Sequence, residues 1–135
     1  RALELRPGRY EAHAALADAY FDLGLEPKAL EQWHLATHAQ PDNATWRYRY
    51  GKLLQAAHHD AEARPELESA LELASKLPVP PRWAWEAHHL LARAIGMHPA
   101  AVKHWQAFLE LAPLDNAYRD EAMATLAKLG QPWNK

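Results

Sequence analysis

The sequence predicts an all-α fold of stacked antiparallel helix pairs, about seven helices in all. Three observations carry that expectation. The stretch from Glu11 to Pro41 reads as two amphipathic helices joined by a short break at Leu23-Gly24-Leu25-Glu26-Pro27. Shifted by thirty-four residues it falls on its successor: Ala17 on Gly51, Tyr20 on Leu54, Ala29 on Ala63, Trp33 on Leu67 and Ala36 on Ala70. Small meets small and bulky meets bulky. A third copy follows, with Glu11 to Tyr20 matching Glu86 to Ile95 at a shift of seventy-five, and Gly24 to Trp33 matching Gly96 to Trp105 at seventy-two. That copy has lost three residues at its inner turn.

The elements follow in order. Residues 1–8 read as the end of a preceding repeat, closed by Pro7-Gly8. The first full repeat is 9–42, with helices over 9–23 and 26–39. The second is 43–77, with helices over 43–57 and from Asp60 to Lys76. Asp42 or Asn43 is the expected cap of the former, and Asp60 of the latter. Pro65 predicts a bend or a late start, since an interior proline removes a helix hydrogen bond. Residues 78–81 form a stiff proline-rich connector, and the register slips by seven residues across it. The third repeat, 82–114, has helices over 82–95 and 98–112. A capping helix over 116–129 follows Asp115-Asn116 within 115–130, and a tail (131–135) lets Trp133 fold back.

The repeated positions have a physical purpose. Ala17, Gly51 and Ala92 lack bulk, so paired helices can approach closely. Trp33, Leu67 and Trp105 fill the space around that contact, and each pair needs neighbours to cover its apolar stripe. Trp46, Trp83 and Trp85 start first helices, where packing between repeats is expected. Trp83 and Trp85, two apart, cannot both face inward.

This period and helix–turn–helix unit resemble the tetratricopeptide repeat family over almost the whole chain. The marks are Ala17, Ala29, Ala36 and Pro41, then Gly51, Ala63 and Ala70, then Ala92, Ala101 and Pro113, with Phe108 replacing the later alanine of the third copy. The resemblance implies a right-handed α-solenoid whose first helices line a concave groove for an extended peptide or a partner helix. Carried onto this chain, the groove stripe is Glu11, Ala14, Asp18 and Asp22 in the first repeat. It continues through Thr45, Tyr48, Lys52 and Gln55, then Glu86, His89 and Arg93, with Tyr118, Glu121 and Thr125 as an extension. Spacings of three and four place each set on one helical face. The lysine–asparagine clamp that one branch of the family uses on chaperone tails is absent, because Ala14 and Asp18 hold its first-repeat places.

Composition narrows the function. The net charge of −2 leaves no electrostatic footprint for nucleic acid or an anionic membrane, and the dispersed apolar residues offer no membrane-inserting span. Without cysteine there are no disulfides or thiolate metal sites. Ser69 and Ser75 are the only serines, with neither a nucleophile elbow nor a glycine-rich phosphate loop, so no enzyme and no cofactor are expected. Nine histidines are many for 135 residues, and their protonation would carry the formal charge from −2 to +7. His34 and His38, four apart, could share a metal ion but lack a third ligand nearby, so no metal site is assigned. His58-His59 falls in a turn. His88 matches His13 on the packing side, while His89 matches Ala14 on the groove stripe.

The expectation is therefore a non-catalytic protein-binding scaffold, a piece of a larger protein whose Ala-, Arg- and Leu-rich composition suits a bacterial source. Self-association through the unfinished repeat at Arg1 to Leu5, or service as a spacer, is the alternative. A histidine-dependent metal or pH response is a third.

Overall fold

The computed structural model describes residues 7–134, with side chains from 11 onward. Helices account for its regular structure: α1 (Pro7–Asp22), α2 (Glu26–Ala39), α3 (Ala44–Ala56), α4 (Asp60–Ala74), α5 (Ala84–Ile95), α6 (Val102–Leu111) and α7 (Arg119–Lys128), with a 3-10 turn at Pro99–Ala101 before α6. The described residues contain no strand. The all-α expectation holds, and consecutive helices pack on one another within each of two compact units, Arg1–Lys76 and Leu77–Lys135. The boundary falls at the head of the proline-rich connector, whose Leu77 and Val79 are exposed.

In the first unit α1 pairs with α2, α3 pairs with α4, and α2 packs on α3. The inner turns of the two pairs are built alike. Gly24 takes a φ of 78°, and the Leu25 amide reaches back to the Tyr20 carbonyl at 2.8 Å. Thirty-four residues on, His58 takes a φ of 67° and the His59 amide reaches the Leu54 carbonyl at 2.8 Å. The turn thus imposes on a histidine a left-handed backbone that glycine adopts freely. Between the pairs, Asn43 caps α3 by accepting from the Trp46 amide at 3.1 Å.

The small residues sit where the helices come closest. A methyl group on Gly51 would lie 2.7 Å from Leu67 Cγ, and Ala17, Ala29 and Ala36 have no exposed surface. Trp33, 2% exposed, fills the centre and meets Trp46 edge-on, with ring centroids 6.5 Å apart at 65°.

In the second unit α5 packs on α6 and α6 on α7. Trp105, Phe108, Leu109, Ala122 and Leu126 form its core, and Trp133 folds back onto them as expected. Arg119 ties α7 to the end of α6, donating from Nη1 to the carbonyls of Leu109 at 2.8 Å and Ala112 at 3.3 Å. A cation there also suits the negative end of the α6 dipole. Trp83 and Trp85 are both half-buried, and Trp85 lies 5.9 Å from Phe108.

Several boundaries differ from those read in the sequence. Pro7 and Gly8 lie within α1, where the sequence had them closing a preceding helix. The remainder of the expected partial repeat lies outside the described residues. His59, not Asp60, is the cap position of α4, and Asp60 joins its first turn, where a carboxylate suits the helix dipole. Helix α4 continues through Pro65. Asn116 accepts from the Tyr118 amide at 2.8 Å, and this local turn delays α7 to Arg119.

Candidate functional site

The first unit carries an open cleft of about 480 Å³ between α1 and α3. Helix α1 contributes Glu11, Ala14, Ala15 and Asp18. The turn before α3 contributes Gln40 and Asn43, and α3 itself contributes Trp46 and Arg49. The Arg49 guanidinium pairs with the Asp18 carboxylate across the cleft. Its carbon also lies 4.9 Å from the Trp33 ring centroid, so a cation braces the aromatic core from the solvent side. Further along α3, the Lys52 ammonium stands 5.9 Å from the centre of the Tyr48 ring.

The predicted groove stripe is only partly a surface. Glu11, Asp22, Thr45 and Lys52 are exposed, and Asp18 and Gln55 are half-buried. Tyr48, by contrast, is 8% exposed, and Ala14 is buried with it. Tyr48 therefore serves as a wall of the first unit instead of as a contact offered to a partner.

A second cleft, of about 460 Å³, lies between the turn at Pro41 and α4, with Asp42, Glu68, Ser69 and Glu72 at its rim. Arg47, also lining it, is occupied. It donates to Glu66 Oε1 at 3.1 Å and to the Pro41 carbonyl at 2.6 Å. Beside it Tyr50 is buried, and burial, with the Glu66 and Glu62 carboxylates, pushes its phenol above the usual value.

In the second unit, Arg93, Tyr118 and Glu121 are exposed, and Glu86 and Thr125 are half-buried. His89 departs from expectation: it is 4% exposed. Its ring stacks on Tyr118 at 4.4 Å and 26°, with Phe108 at 5.2 Å and Trp105 at 5.7 Å beneath. Tyr118, at the head of α7, covers a position that aligns with Ala14 of α1. Burial, then the Arg93 charge, lowers the His89 pKa, against the opposing pull of Glu121 and Glu86. The Glu121 carboxylate stands 3.8 Å from Nε2, too far for a hydrogen bond.

No family model matches the chain, and no curated protein is similar enough to count as a relative.

The residue most clearly missed in the sequence is Arg49. Asp18 plus the thirty-four-residue period gives Lys52, and Arg49 lies one helical turn before it. Period and helical turn together would have located it. His34 and His38 do come together, with ring centroids 4.1 Å apart, but no three His, Asp or Glu among the described residues are placed to hold a metal ion. No described helix is long and apolar enough to cross a membrane.

Proposed function

We propose that the chain is a tetratricopeptide-type binding module that takes an extended peptide or a partner helix along its first helices, with the α1–α3 cleft as the principal contact. The carrying observation is that cleft. It is open, lined mostly by polar groups, and supplied by two successive first helices that Asp18 and Arg49 hold together. The family reading draws further support from Gly51, whose lack of a side chain lets α4 approach where the repeat pattern calls for a small residue. Glu11 at one end and Lys52 further along give the surface a polarity that would orient a bound segment more than strengthen it.

A random peptide display library is the direct test. Selected peptides are measured by calorimetry against the wild type, Glu11→Lys and Lys52→Glu. Both residues are exposed, so the variants are expected to keep their helical content while losing at least tenfold in affinity. Failure to select any peptide, or selected peptides indifferent to both substitutions, would overturn the assignment.

One observation favours a second reading, self-association. Ala12, Leu16 and Ala19 of α1, with Leu23 just past its end, form an exposed stripe. The first three are matched by Trp46, Tyr50 and Leu53, which are buried on α3. Leu23 is 72% exposed. A second copy seated there would hide an apolar face. Sedimentation across a concentration series should then show a mass that rises with concentration and reverts to monomer in Leu16→Glu. A wild-type monomer throughout would dismiss this reading. The end Arg1 to Leu5, where the sequence first suggested such contact, lies outside the described residues.

A further inference from the structure

Each helix pair is closed by a polar bridge, and the three bridges occupy the same place in the repeat. In α1–α2, His13 Nδ1 meets Gln32 Oε1 at 2.5 Å. In α3–α4 the residues thirty-four further on, Arg47 and Glu66, make an ion pair at 3.1 Å. In α5–α6 the matching residues are His88 and His104, which meet Nδ1 to Nδ1 at 3.0 Å.

The three bridges respond differently to protons. A glutamine oxygen accepts from a histidine whether that ring is neutral or charged. The Arg47–Glu66 bridge is lost only when the carboxylate is protonated. Two imidazole nitrogens facing each other need one proton between them: one ring donates and the other accepts. If both rings become charged, two N–H groups confront each other and the hydrogen bond is lost.

We propose that the His88–His104 bridge is an acid-operated latch that releases α5 from α6 while α1–α4 stays folded. The surroundings favour release. His104 is buried, and Lys103 on the same helix adds positive charge beside His88. Burial, with Lys103, lowers the His88 pKa to about 4. Other charged groups surround the neighbouring His89. Glu86 and Arg93 come from its own helix and Glu121 from α7, so its acidic neighbours partly offset the cost of protonating it.

The sign of the effect follows. A base whose folded pKa lies below its unfolded value of 6.5 takes up more protons when unfolded. Stability contributed by His88 is therefore fully present above about pH 6.5 and is lost as pH falls towards about 4. Through His88 the folding constant falls by up to about tenfold per pH unit in that window.

The test is a pH series of amide NMR spectra on the whole chain, from pH 7.5 to 4, on wild type and His104→Gln. The substitution installs in α5–α6 the His–Gln chemistry of α1–α2. In the wild type, α5–α6 signals should broaden or vanish before those of α1–α4, and in His104→Gln that transition should move down by at least one pH unit. An unmoved midpoint, or simultaneous loss of both units in the wild type, would overturn the latch. So would a His89→Gln variant that shifts the midpoint when His104→Gln does not. If His104→Gln fails to fold, His88→Gln poses the same question from the other helix. A readout independent of variants is the ring-nitrogen spectrum at pH 7.5, where His88 and His104 must be opposite tautomers. Identical tautomers would exclude the bridge.

Discussion

The helix pairs α3–α4 and α5–α6 answer the same packing problem with different residues. In α3–α4 the helices close on Gly51, Leu67 fills the contact, and an Arg–Glu pair bridges the edge. In α5–α6 the corresponding places hold Ala92, Trp105 and two histidines. The indole meets Phe108 edge-on at 6.3 Å, and its buried Nε1 has no hydrogen-bond acceptor. One pair therefore combines close backbone approach with a permanent charge pair. The other combines a larger aromatic filler with an orphaned donor and a bridge that works only while at least one ring is neutral. Helix pairing constrains volume and register strictly, but leaves the chemistry of the bridge open. That freedom is where the two units come to differ in their response to pH.

Substitutions can break or sharpen this contrast. The largest effect is expected from the two tryptophans that fill equivalent places. Trp33→Ala and Trp105→Ala should each cost about 3–5 kcal/mol in their own unit by guanidinium denaturation. Trp105→Ala should fall at the low end, because it also removes a buried donor whose lack of a partner already costs about 1–3 kcal/mol. Equal losses would mean that the orphaned N–H has no energetic consequence. Next comes Gly51→Ala. Its methyl would collide with Leu67 Cγ and approach the Leu67 backbone nitrogen at 3.3 Å. A loss of about 1–3 kcal/mol is expected, although alanine gains about 1 kcal/mol in helix propensity. A stabilised variant would show that α3 and α4 are less tightly apposed.

Arg47→Ala should cost about 1 kcal/mol, more than a fully exposed pair, because the guanidinium is mostly covered and also serves the Pro41 carbonyl. Its effect should shrink in concentrated salt, whereas that of Trp33→Ala should not. The smallest change runs the other way. His58→Gly relieves a left-handed backbone and should stabilise the first unit by about 0.5–1 kcal/mol, read as a rise in midpoint. No gain there would mean that the His58 side chain compensates its own strain.

Much of this arrangement was legible in the sequence because the repeat reports on itself. Ala17, Gly51, Trp33 and Trp105 fall in matching places, and a residue matched across copies meets a matched environment. The helix limits of α2 came out as read, since Gly24 and Pro27 leave the chain few options. Periodicity could not say how the third copy differs. His89 aligns with Ala14, yet α7 follows the third pair, and its Tyr118 stacks on the imidazole. Nor could it assign Tyr48 to the wall of the unit, since an aromatic ring with a polar tip fits a surface stripe as well as a core.

The sequence alone determined that this chain forms helix pairs, where they turn, and which small residues let them meet. Those outcomes depend on backbone preference and on a period carried within the chain. Tertiary structure decided which polar groups face one another: Asp18 with Arg49, Arg47 with Glu66, and His88 with His104. Such bonds join side chains on different helices and depend on distances of a few ångströms. Those distances exist only once the helices have docked.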